Sequence, residues 1–290
     1  MDGMTDKPAG PRRRTPYVFE VVRAEAVSPH MVRVHFGGPG VDAFITGLDE
    51  KNARSTEKYV KLLFARPELG LEHPYDMEVL RETLSPQDMP SRRTYTIRSI
   101  DESERTMAID FVVHGDEGLA GPWAANAQPG DLVTLTGPGG MYAPAPDVDE
   151  HLFFGDDSAI PAISAAIESL DQDAKGLAII EVGSAADEIS FDAPDGVAVR
   201  WLHRDGAHYG EALVAAVEAL QAPSTSVDVF AHGEREAMKR LRPLINKEWG
   251  IHRSRLSLSA YWAYGRAEDT FQAEKQTPAG QIFEPEPAQG

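Results

Sequence analysis

Leu152-Phe153-Phe154-Gly155-Asp156-Asp157-Ser158-Ala159-Ile160-Pro161-Ala162 separates two kinds of pattern in this chain. Leu152 to Phe154 is a short apolar run suited to a buried strand. Asp157 or Ser158 can cap a helix whose first turn holds Pro161. Ile160, Ile163, Ile167 and Leu170 then recur at spacings of three and four, one apolar helical stripe. A strand turning straight into a helix is the repeating unit of a parallel α/β sheet. The alternation continues downstream. Strands are expected at 177–182, 197–202, 227–231 and 256–262. Helices are expected around Leu213, Val214, Val217 and Leu220, and over 234–249, where Pro243 bends or breaks the second. Upstream the period is two. Residues 17–25, 31–36, 59–64, 93–100, 107–113 and 131–136 read as strands, with a short helix at 121–127. Six strands with few helices point to a small antiparallel barrel, which removes exposed sheet edges.

The expected organisation is a lead without fixed structure at 1–14, a barrel domain at 15–143 and a linker at 144–150. A five-stranded α/β domain follows at 151–270, and a tail at 271–290 is structured only where it docks. Gly37-Gly38-Pro39-Gly40 and Gly137-Pro138-Gly139-Gly140 read as loops, and no G-x-G-x-x-G fingerprint is present. The formal charge of −18 opposes nucleic-acid binding, which needs a basic surface against phosphates. With no cysteine there is no disulfide, thiol nucleophile or cysteine-ligated cluster, so any electron carrier is organic. No apolar run is long enough to span a bilayer. A cytoplasmic monomer is expected, and the nine histidines have no metal-ligand spacing.

Arg93-Thr94-Tyr95-Thr96-Ile97-Arg98 puts a cation, a ring and a hydroxyl on one strand. Alternation sets Arg93 and Tyr95 on one face and Thr94, Thr96 and Arg98 on the other, unless a kink re-aims one of them. Alone, this is equally an ordinary half-buried strand with a solvated arginine. It resembles, however, the R-x-Y-T-x-R flavin signature of the ferredoxin-reductase-like superfamily, and more narrowly of the siderophore-interacting proteins. Three later segments resemble that family in order. They are Val112-Val113-His114-Gly115 with Gly118-Leu119-Ala120-Gly121-Pro122-Trp123-Ala124, then Gly155 to Ala162, then Tyr261-Trp262-Ala263-Tyr264-Gly265. His232-Gly233-Glu234 matches the family's A-G-E with histidine in place of alanine.

The resemblance implies an FAD held by Arg93 on the pyrophosphate, Tyr95 against the ring or ribityl chain, and Thr96 near flavin N5. Arg98 is assigned to the FAD phosphates or the ligand side. Val112, Val113, His114, Gly118, Ala120, Gly121, Trp123 and Ala124 would cradle the pyrophosphate, and Trp262 would abut the flavin. It also implies NAD(P)H at the carboxyl ends of the parallel strands, contacting Asp156, Asp157, Ser158, Ala159, Gly183, Ser184, Arg204, Gly233 and Glu234, with Arg204 able to meet a 2′-phosphate. Ferric siderophores are often anionic, and Lys61, with Lys58 second, is the candidate for their pocket. On a regular strand those two lysines face opposite ways. No metal site and no catalytic side chain beyond the flavin is expected. The implied activity is NAD(P)H-dependent ferric-siderophore reduction with release of Fe(II). The alternatives are a general flavin or ferric-chelate reductase, or a carrier that binds FAD or siderophore without reducing it.

Overall fold

Six strands close into an antiparallel barrel, and five more form a parallel sheet beside it. The structure is a computed structural model that describes residues 16–113, 118–275, 277–278 and 280–283. The barrel strands are β1 (Tyr17–Ser28), β2 (Met31–Gly37), β3 (Tyr59–Phe64), β4 (Ser91–Asp101), β5 (Thr106–Val112) and β6 (Leu132–Gly139), in the closed order β1-β2-β5-β4-β3-β6. Its helices are α1 (Pro39–Thr46), α2 (Glu50–Arg54), α3 (Met77–Thr83) and α4 (Ala120–Ala125). Phe19, Phe36 and Phe111, from inward strand positions, and Phe44 from α1 are fully buried together in one aromatic core.

Gly37 to Gly40 is not a loop. Pro39 occupies the first turn of α1, and a Cβ on Gly40 would lie 1.8 Å from the Val18 carbonyl oxygen, so only glycine lets this helix close against β1. Gly137 to Gly139 likewise belongs to the end of β6.

The parallel sheet contains β7 (Glu150–Asp156), β8 (Gly176–Val182), β9 (Val197–His203), β10 (Val227–Glu234) and β11 (Leu256–Trp262), ordered β11-β10-β7-β8-β9. Helix α5 (Ile160–Glu168) covers one face together with barrel residues Met31, Val27 and Val112. Helices α6 (Glu211–Glu218) and α7 (Arg235–Pro243) cover the other. Pro243 carries no amide hydrogen to continue the ladder, and α7 passes there into a π-helical turn at Leu244–Glu248. The tail docks through α8 (Glu268–Glu274), whose Phe271 is buried against Ala260 and Ala263, and through Ile282 and Phe283 on the sheet domain's core. Among the described residues no helix is long and apolar enough to cross a membrane.

The barrel's β3–β4 rim therefore faces the carboxyl ends of β10 and β11. Contacts across this seam include Arg98 with Glu168, Glu57 with Tyr261, His30 with Asp187, and Arg93 with Asp269.

Candidate functional site

The barrel side of the seam is a single strand, β4. Tyr95 turns inward, its ring 4.4 Å from Phe111, and burial pushes its phenol far above the ordinary range. Ile97 continues the inward row, whereas Thr96 lies on the outer face, 8% exposed, towards the second domain. Between Ile97 and Ser99 the pairing with β5 slips by one residue, leaving Arg98 as the extra residue of a bulge. The Arg98 guanidinium then makes two 2.6 Å bonds to Glu168 on α5. That fork ties the domains together in this structure, and a phosphate or ligand would have to displace Glu168 to reach Arg98.

Arg93 is different. Its side chain reaches Asp269 at 3.1 and 3.4 Å, but Asp269 is 67% exposed on the short helix α8. A solvent-screened pair of this kind exchanges readily for a better-matched anion. Gly118, at φ 81°, stands before α4 with open space where a Cβ would be. A forked cation, an open glycine turn and an outward hydroxyl fit the requirements of an FAD phosphate and ring. Ala120, Gly121 and Ala124 are buried on the barrel-facing side of α4, and Trp123 packs between Phe36, Phe64 and Phe111. These four position the turn rather than line a cavity. Val112 joins the packing at the domain seam, Val113 donates its backbone N–H to the His30 carbonyl, and His114 lies outside the described residues.

The sheet side is assembled from three strand ends around one carboxylate. Asp156 accepts from Ser158 N and Oγ at 3.0 and 2.5 Å, from Glu234 N at 2.7 Å and from Trp262 Nε1 at 2.9 Å. Burial first, then the Asp157 charge, pushes its carboxyl up to about 7. A Cβ on Gly233, at φ 155°, would sit 2.6 Å from an Asp156 oxygen, so glycine is required there. Glu234 caps α7 through Glu236 N and Ala237 N. Ser184 and Asp187 form a capping box beside Gly183, and Ala159 is fully buried.

Arg204 is held between Asp157 at 3.3 Å and Glu181 at 3.2 Å, and it lies 4.0 Å over the Tyr209 ring, so its guanidinium is already engaged where a 2′-phosphate contact was expected. Trp262 is turned into the Asp156 hub and against Tyr209, leaving Tyr261 as the ring that meets the barrel.

Of the two lysines, Lys58 donates to the Ser55 carbonyl and is half-buried, with its ammonium pushed down by desolvation. Lys61 stands in β3 opposite Thr94, and Lys275 at the end of α8 feels its charge. Sequence reading did not find Lys275, because nothing in a polar tail marks one lysine as returning to the barrel. Glu57, immediately before β3, was also missed. Its carboxyl receives the Tyr261 hydroxyl at 2.6 Å, and Thr96 lies beside the same phenol.

The matches to known proteins agree with this geometry. Residues 148–265 match the siderophore-interacting protein family, and residues 20–142 match the siderophore-interacting FAD-binding domain. An uncharacterized Mycobacterium tuberculosis protein is 41% identical over 274 residues, covering 90% of this chain and 94% of its own. The ferric vibriobactin reductase ViuB of Vibrio cholerae is 31% identical over 274 residues, covering 92% of this chain and 97% of its own. The crystal structure of a siderophore utilization protein from T. fusca superposes with a TM-score of 0.73 at 37% identity, covering 87% of this chain and 94% of that one. The chain belongs to the siderophore-interacting protein family.

Proposed function

We propose that this protein is an FAD-containing, NAD(P)H-dependent reductase of ferric siderophores. The observation that carries the reading is the seam itself. Thr96, on the outer face of the barrel strand that bears Arg93 and Tyr95, meets Tyr261 at the carboxyl end of β11. A ring held by the barrel and a nucleotide held outside the carboxyl ends of a parallel sheet would come together at that line. Arg93 would hold the FAD phosphates by its fork, Tyr95 the ring or ribityl chain, and Thr96 the reactive edge. The flavin, when bound, supplies the conversion of a two-electron donor into single electrons for ferric iron. Arg98 with Glu168 ties the two halves together, and Asp156 with its four donors fixes the strand ends on the sheet side. Lys61 on β3 and Lys275 after α8 are close enough to feel each other's charge, and an anionic ferric chelate would draw on both. The chelate is the substrate, and its reduction to Fe(II) weakens hard-oxygen coordination and releases the metal.

The test is anaerobic stopped-flow spectroscopy. The purified yellow protein is expected to bleach with NADH or NADPH and to reoxidise faster with ferric siderophores than with ferric citrate. Equal rates with every chelate would reduce the reading to a general ferric-chelate reductase. Failure to bleach would leave a carrier.

A further inference from the structure

Behind the Thr96–Tyr261 contact lies a buried group that the proposed reaction does not yet use. Glu57 sits between the domains with its side chain 13% exposed. Its backbone is fixed from the linker side: a Cβ on Gly140 would lie 1.9 Å from the Glu57 carbonyl oxygen, and Glu57 N donates to the Tyr142 carbonyl. One carboxyl oxygen takes the Tyr261 hydroxyl and stands 3.4 Å from His232 Nδ1. That nitrogen is buried without a hydrogen-bond partner. The other ring nitrogen of His232 lies 2.9 Å from Ser257 Oγ, and the ring stacks 3.9 Å from Phe230. Burial, with the Lys275 charge adding, pushes the imidazole down to about 3, so it is neutral at ordinary pH. A proton on the carboxyl would bond His232 Nδ1 when the ring proton sits on the nitrogen facing Ser257.

We infer that Glu57, acting through Tyr261 and Thr96, is the acceptor for the proton that the reaction must release at the buried ring edge. This rests on the reading above. One NAD(P)H and two ferric chelates give NAD(P)⁺, two ferrous chelates and one H⁺, and that proton begins where solvent is excluded. Tyr261 donates to Glu57 at 2.6 Å and Thr96 lies beside the same phenol, so the three groups lead away from the edge. One O–H bond forms and one breaks at each hydroxyl, and the carboxylate becomes the acid. The groups facing Glu57 suit reversible protonation. Tyr142 and Tyr261 contribute neutral phenols, His232 a neutral imidazole, and Lys275 a cation whose charge favours release again. Burial raises the carboxyl's affinity for the proton and opposes Lys275. Glu57 is a positioning residue for the proton, not a group that touches the substrate.

The test compares wild type with Glu57→Gln, Glu57→Asp and Tyr261→Phe, each loaded with FAD. Bleaching by nicotinamide is expected to persist in Glu57→Gln, while electron delivery to a ferric chelate slows about a hundredfold, the lower range for a positioned proton acceptor. The pH inflection of that second step is expected to vanish in Glu57→Gln and Tyr261→Phe and to return in Glu57→Asp. Infrared difference spectra of the protein, with or without FAD, are expected to contain a protonated-carboxyl band absent from Glu57→Gln. An unchanged pH profile in both Glu57→Gln and Tyr261→Phe, with wild type reducing chelates normally, overturns the relay and leaves the function intact. If wild type takes up no flavin, the functional reading fails, and the infrared titration of the apoprotein still decides whether Glu57 accepts a proton.

Discussion

The barrel rim and the carboxyl edge of the sheet face each other across one seam but are built in opposite ways. On the rim, chemistry is local: Arg93, Tyr95 and Thr96 lie within four residues of β4, and the cation is held by an exposed aspartate and the carbonyl of its neighbour Arg92. On the edge, Asp156, Arg204, Glu181 and Glu234 come from four strand ends and are bonded mostly to one another and to helix N-termini. The rim keeps its functional groups available. The edge spends its charged groups on holding a shape, and leaves ligand recognition to whatever that shape exposes.

This difference can be broken first at its strongest point. Asp156→Ala strips the acceptor from two buried backbone and indole donors and one serine, and is expected to cost about 3–5 kcal/mol of stability. Urea unfolding measures it, and a loss below about 1 kcal/mol would remove Asp156 from the frame. Arg93→Ala touches no buried network. It is expected to leave stability unchanged within about 0.5 kcal/mol and to weaken FAD binding about a hundredfold, the worth of a bidentate charge-assisted pair. Flavin occupancy after gel filtration reads the effect, and full retention would refute the clamp. Asp156→Asn sharpens the contrast through pH. A carboxyl raised from 3.8 to about 7 on folding contributes stability that is full below about 4 and declines as pH rises through 7. The variant is expected to lose that decline in unfolding free energy, and a pH dependence identical to wild type would contradict the assignment. The smallest effect is expected from Lys61→Ala, a several-fold rise in KM for an anionic ferric siderophore with nicotinamide bleaching untouched, because exposed charge contributes little per contact.

Much of the fold was legible because apolar period changes at Leu152, from two before it to three and four after it. What escaped was short or polar. Helices α2 and α3 bury no residue, so they leave no stripe to read. Helix α1 buries Val41, Phe44 and Ile45 and had a signal, but the glycines around Pro39 imitate a loop. At the site, the rim was legible because its residues are neighbours in sequence. The edge was legible only as positions. That Arg204 is engaged, that Arg98 bulges towards Glu168, and that Tyr261 rather than Trp262 meets the barrel all depend on partners 23 to 204 residues away. Glu57 and Lys275 carry no motif, and only folding brings them to the seam.

The central claim is that the β4 rim holds a flavin against the edge of the sheet. It is tested most directly by titrating flavin-free protein with FAD under anaerobic conditions and then adding NADH or NADPH. Saturable binding, lost in Arg93→Ala, followed by bleaching of the flavin absorbance in wild type is the predicted result. A protein that stays colourless after incubation with FAD, or binds it equally well without Arg93, would contradict the account.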